Sequence, residues 1–116
     1  PMAMTAHVIY DVIDSAAPAT TSAKVIREAI RGAIGFDGLL ISDDLCMRAL
    51  SGRAGDRARA ALAAGCDVTL HCNGNFDEMR EIAAVWRDRD DRYSEIRTAA
   101  TVMPAAKKVE MSYIGG

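Results

Sequence analysis

Three short apolar runs divide the chain, and each is followed by apolar residues recurring at helical spacing. The first, AMTAHVIY at 3–10, is short, apolar and β-branched toward its end, as a buried strand is. A loop rich in turn-forming residues (Asp11, Asp14, Ser15, Pro18) covers 11–21. Ser22 or Thr21 can cap the helix SAKVIREAIRGAI, whose Val25, Ile26, Ala29, Ile30 and Ile34 share one face, with Gly35 as its left-handed terminator. The second run, GLLIS at 38–42, is continuously apolar, the pattern of a strand covered on both faces. An irregular turn at 44–51 leads to the Ala-rich helix AGDRARAALAA at 54–64, closed by Gly65. The third run, DVTLHC at 67–72, passes through the turn NGN into helices predicted at 76–88 and about 91–103. Phe76, Met79, Ala83 and Trp86 form the apolar stripe of the first of these. Pro104 stops the second, and the tail 104–116 reads as poorly ordered.

The predicted order is β-α-β-α-β-α-α. Successive strands joined through helices must be parallel, with right-handed crossovers. The fold class is therefore α/β. In such folds the carboxyl ends of the strands open on one face, and chemistry collects there. Those ends here are Ala6-His7, Ser42-Asp43-Asp44 and His71-Cys72-Asn73.

Composition narrows the classes. The chain has 116 residues, enough for one domain and its core. Lys+Arg is 14 against Asp+Glu 16, so a net charge of −2 makes no electrostatic case for nucleic acid or an anionic membrane. Cys46, Cys66 and Cys72 are odd in number and form no CxxC pair, which points to free thiols in a reducing cytoplasmic compartment. The start, PMAMTAHVIY, has no basic n-region and no initiator methionine, and it enters a strand pattern at once; a fragment is expected. The run RDRDDR at 87–92 reads as a solvated helix junction.

The chemistry centres on the paired aspartates. Successive strand side chains point to opposite faces, so if Asp43 enters the opening, Asp44 turns away and is better placed to hold the turn before LCMRAL. Adjacent carboxylates make a poor acid/base dyad, which needs facing groups about 5 Å apart in a retaining glycosidase. Asp43 is then either a turn residue or a carboxylate held on a rigid strand end for nucleophilic work. His7, His71 and the three cysteines lack the short spacings of zinc motifs, and no metal is expected. His71 reads as facing a core or helix, Cys66 and Cys72 as small buried fillers, and Asn73 as a candidate border of the pocket.

Three collinear segments carry a resemblance. AMTAHVIYD, GFDGLLISDDLCM and ALAAGCDVTLHCNG resemble the M-x-AH strand, the GFDG-strand-SDDLSM signature and the AAGCD-strand-CNG segment of bacterial β-N-acetylhexosaminidases of glycoside hydrolase family 3. The likeness covers residues 1 to about 88. It implies a partial TIM (β/α)8 barrel, with residues 1–103 supplying the last three parallel strands and their helices. It implies a retaining glycosidase that removes terminal β-linked N-acetylglucosamine from peptidoglycan-derived muropeptides, with Asp43 as nucleophile. His7 would line the sugar pocket and Met47 would pack beneath it as substrate-binding residues, and no cofactor is needed. Cys46 replaces the motif's serine. The family's histidine acid/base and its K-H-[FI]-P-G-H-G motif do not occur in the chain. The alternative is a catalytically incomplete piece, prone to self-association through exposed strand edges.

Overall fold

The computed structural model describes residues 1–87. The predicted helix at 91–103 and the tail at 104–116 lie outside the described residues. Three strands, β1 (Met2–Met4), β2 (Leu39–Asp44) and β3 (Val68–Leu70), form one sheet in the order β1-β2-β3, with both pairings parallel. The α/β reading therefore holds, with the alternation of strand and helix that the sequence predicted. Met2, Ala3 and Met4 lie opposite Leu39, Leu40 and Ile41, and Ile41 lies opposite Val68.

The strand bounds differ from those expected. β1 ends at Met4 rather than running to residue 10, because the main-chain carbonyls of Ala6 and Val8 accept the N–H groups of Thr20 and Ala19 instead of bonding to β2. β2 runs two residues further than predicted and so includes both aspartates. The β2–β3 register slips between Ile41 and Asp44, and the hydroxyl of the buried Ser42 fills the gap by accepting the Leu70 N–H at 3.0 Å.

Three helical segments of useful length accompany the sheet. The first, Val25–Ala33, is wound with i→i+5 bonds. Ser22 Oγ accepts the Val25 N–H at 3.1 Å and donates to Asp14 Oδ2 at 2.6 Å, which makes it the cap the sequence indicated. Gly35, at φ 72°, ends the helix as expected. Ile34 departs from the predicted apolar face and is largely exposed; the wider winding rotates it off the line of Val25, Ile26 and Ile30. Helix α1 (Ala54–Ala64) has the predicted bounds. Its Ala54, Ala58, Ala61 and Ala64 are buried, and these small side chains let it lie close to its neighbours. Helix α2 (Phe76–Arg87) faces the core with Ile82 and Val85. The stripe predicted for it is corrected accordingly: Phe76, Met79 and Ala83 are exposed and only Trp86 is partly covered, donating from Nε1 to Thr69 Oγ1 at 3.1 Å.

The core lies on one face of the sheet. Leu40 and Ala3 point into it with Ile26, Leu45, Leu50, Cys66, Ile82 and the alanines of α1. The alternate residues, Met2, Met4, Leu39 and Ile41, project from the opposite face, where Met2 and Met4 are exposed. At the amino end of the strands, Arg31 ties the layers together. It donates to the carbonyls of Phe36 and Gly38 at 3.0 and 2.8 Å and pairs with Asp67 Oδ2 at 2.8 Å, an oxygen that also takes the Leu40 N–H. Among the described residues, no helix is long and apolar enough to cross a membrane.

Candidate active site

The carboxyl end of β2 carries the two aspartates in unlike environments. Burial alternates along Leu39–Asp44, with Leu40 and Ser42 buried and Leu39, Ile41 and Asp43 intermediate. The alternation places Asp43 in the row of Leu39 and Ile41, on the face the helices leave uncovered. Its main-chain N–H donates to Thr5 Oγ1 at 3.2 Å, and its Oδ1 accepts the Asp44 N–H at 2.8 Å. No ion pair to Asp43 forms among the described residues.

His7 reaches the same end from the loop after β1. Its Nε2 lies 2.7 Å from the carbonyl oxygen of Asp44, so that nitrogen is the donor. In the neutral imidazole Nδ1 then accepts from Thr20 Oγ1, 2.8 Å away, and Thr20 accepts in turn from Thr5 Oγ1 at 2.8 Å. Every group in this chain is satisfied: Thr5 takes the Asp43 N–H, and His7 takes up the Asp44 carbonyl. The main chain of both aspartates is therefore held from β1 and its loop. Sequence reading missed the two threonines. Thr5 stands inside the MTAH string, but Thr20 is fifteen positions away, and only the fold brings the hydroxyls together.

Asp44 turns the other way and organises the turn. Its Oδ1 accepts the N–H groups of Cys46 at 3.1 Å and of Cys72 at 3.2 Å, and its Oδ2 accepts from the Cys46 thiol at 2.6 Å. Burial pushes its pKa up, but the bonds from Cys46 and Cys72 prevail and hold the carboxyl below its ordinary value. The same contact pushes the Cys46 thiol up, since the hydrogen bond it donates to Asp44 favours the protonated form. Burial raises Cys72 also, with the charges of Asp44 and Cys46 nearby. Cys66, with no exposed surface, is pushed by burial to about 11 and is an inert core residue.

The side chain of His71 is only 7% exposed and packs toward α2, where Nε2 stands 3.1 Å from Glu78 Oε2. Neither ring nitrogen has a partner in hydrogen-bonding geometry, so that approach is electrostatic only. Although the sequence spacings argued against a metal centre, the fold brings one ligand atom each of Asp44, Cys46 and His71 within 4.8 Å of one another.

The predicted site residues thus separate. Asp43 and His7 meet at one end of the sheet. Met47 sits on the turn after β2 at 45% exposure. Asn73 is a turn residue, accepting from Asn75 N–H at 2.8 Å and donating to Glu78 at 2.6 Å. Cys72 is exposed and is no core filler, because it stands past the last paired residue of β3.

A carboxylate at the carboxyl end of the central strand of a parallel α/β sheet stands where such folds gather their chemistry. The chain belongs to glycosyl hydrolase family 3, matching the N-terminal domain of that family over residues 1–106. The β-hexosaminidase of Bordetella avium strain 197N is 51% identical over 76 residues, covering 63% of this chain and 21% of that protein. The β-hexosaminidase of Pseudomonas aeruginosa strain LESB58 is 44% identical over 86 residues, covering 72% and 26%. Among solved structures, the β-N-acetylglucosaminidase from Thermotoga maritima superimposes with a TM-score of 0.66 at 34% identity, over 86% of this chain and 24% of that one. The chain therefore spans about a fifth to a quarter of the length of these relatives.

Proposed function

We infer that this chain supplies the nucleophile of a retaining β-N-acetylhexosaminidase and that Asp43 is that group. One observation carries the reading. Asp43 is half-buried on the uncovered face at the carboxyl end of the central strand, free of ion pairs among the described residues, with its main chain anchored to Thr5. A carboxylate so held can attack the anomeric carbon of a terminal β-linked N-acetylglucosamine as the aglycone oxygen leaves with a proton from a general acid outside this chain, which afterwards takes a proton from the attacking water. Water then attacks the glycosyl-enzyme, restoring the carboxylate and retaining configuration. No step calls for a cofactor. His7, bonded to the main chain of Asp44 beside the nucleophile, is placed to border the sugar, and Met47 stands on the turn that follows.

The described strands are read as the last three of an eight-stranded barrel. The bare face carrying Met2, Met4, Leu39 and Ile41 supports this, since parallel sheets are normally covered on both sides. It follows that the 116-residue polypeptide alone does not turn over a chromogenic N-acetylglucosaminide, and that its open edges favour self-association. Muropeptide fragments are the proposed substrates. A cytoplasmic setting accords with the free state of Cys46, Cys66 and Cys72.

The test is to trap the complete enzyme with a 2-fluoro glycoside and map the modified peptide. Label on Asp43 supports the assignment, and label on another carboxylate ends it. Turnover by the 116-residue polypeptide that disappears in Asp43→Asn would overturn the incomplete-barrel reading while preserving the nucleophile.

A further inference from the structure

We propose that Asp44, Cys46 and His71 form a zinc-binding site that ties the turn after β2 to the end of β3. The three ligand atoms lie within 4.8 Å of one another and offer oxygen, sulfur and nitrogen, the donor set that zinc takes from proteins. A second observation points the same way. The His71 side chain is only 7% exposed, yet neither of its ring nitrogens has a hydrogen-bond partner, an arrangement costly for a buried imidazole and relieved by a cation. Glu78 Oε2, 3.1 Å from His71 Nε2 but outside hydrogen-bonding geometry, adds negative charge beside the ring, which favours a bound cation.

The inference is independent of the role given to Asp43. It depends on Cys46, since a serine there would offer a far weaker ligand. On binding, the thiol proton is released to solvent and a Zn–S bond replaces the S–H···O contact between Cys46 and Asp44. The sulfur and Oδ2, now 2.6 Å apart, must open to about 3.5 Å to share a tetrahedral ion. That movement lies within the reach of the Cys46 side chain, which is partly exposed on a turn. Three protein ligands leave a fourth position for water.

The test uses the full chain and Co²⁺ as a visible substitute, with helical circular dichroism recorded alongside. One equivalent is expected to bind with a thiolate-to-cobalt charge-transfer band. The band should vanish in Cys46→Ser and weaken in apparent affinity by at least about 100-fold in His71→Gln, yet persist in Cys72→Ser. A second measurement needs no variant: Zn²⁺ should slow iodoacetamide alkylation of Cys46 while leaving Cys72 reactive. Absence of the band in the folded chain, its loss in Cys72→Ser instead of Cys46→Ser, unchanged alkylation of Cys46, or binding that survives in urea would each overturn the proposal.

Discussion

The imidazole of His7 donates from Nε2 to the main-chain carbonyl of Asp44, 2.7 Å away and 37 residues distant in sequence. With Nδ1 on Thr20 and Thr20 on Thr5, the ring fixes the backbone at the strand end from which Asp43 projects. The histidine thus has a structural task whatever contact it makes with a sugar.

Truncating it should show that task. His7→Ala removes one of the two donors to the Asp44 carbonyl, which keeps the Met47 N–H at 3.2 Å, and leaves the buried Thr20 hydroxyl proton without an acceptor, so unfolding free energy should fall by about 1–3 kcal/mol. Thr20→Val breaks the same chain, so the double variant should lose less than the sum of the two, as urea titration of a double-mutant cycle would register.

Asp43→Asn should leave stability within about 0.5 kcal/mol, because an amide oxygen can still accept the Asp44 N–H. Hydrolysis by the complete enzyme should fall by at least about 10³-fold, the scale on which single catalytic groups act. Steady-state assay beside thermal melting separates the two effects. Comparable losses in both would mean that Asp43 serves the fold.

The ion pair at the opposite end of the sheet should behave inversely. Arg31→Met takes the guanidinium from the Asp67 carboxylate, which is about one-fifth exposed and keeps the Leu40 N–H, and removes the donors to the Phe36 and Gly38 carbonyls. A loss near 3 kcal/mol is expected, allowing for partial exposure. In the complete enzyme KM should be unchanged, as Arg31 stands away from the proposed mouth.

Acid should weaken the turn through Asp44. Its folded pKa is depressed, so its contribution is present in full above the ordinary value of 3.8 and is lost as pH falls through the lower folded value. Asp44→Asn should accordingly flatten the fall in denaturation midpoint below pH 3.8, and a fall as steep as in the parent chain would refute the assignment.

Gly65 combines φ 122° with a Cβ position 3.0 Å from Ile26 Cγ2. Gly65→Ala should therefore cost more than about 1 kcal/mol, unlike Gly35→Ala, where only the backbone conformation resists. Chemical denaturation of the two variants gives the comparison directly.

Local chemistry made much of this legible in the chain. Ser22 and Gly35 bracket the first helix because caps depend on a few adjacent residues, and the Ala-rich run at 54–64 is a helix with the bounds its composition predicts. Period-2 alternation separates Asp43 from Asp44, and the two side chains do part company there. The tertiary structure decided what depends on distant partners. The shortening of β1, the Thr5–Thr20–His7 chain and the Arg31–Asp67 pair all join residues far apart in sequence, which no spacing rule can register. The exposed stripe of α2 is a similar case, since periodicity reveals that a helix has an apolar face but not which face its neighbours cover. Cys46 and His71, too far apart along the chain for any ligand motif, become neighbours because parallel strands deliver their carboxyl ends to one place.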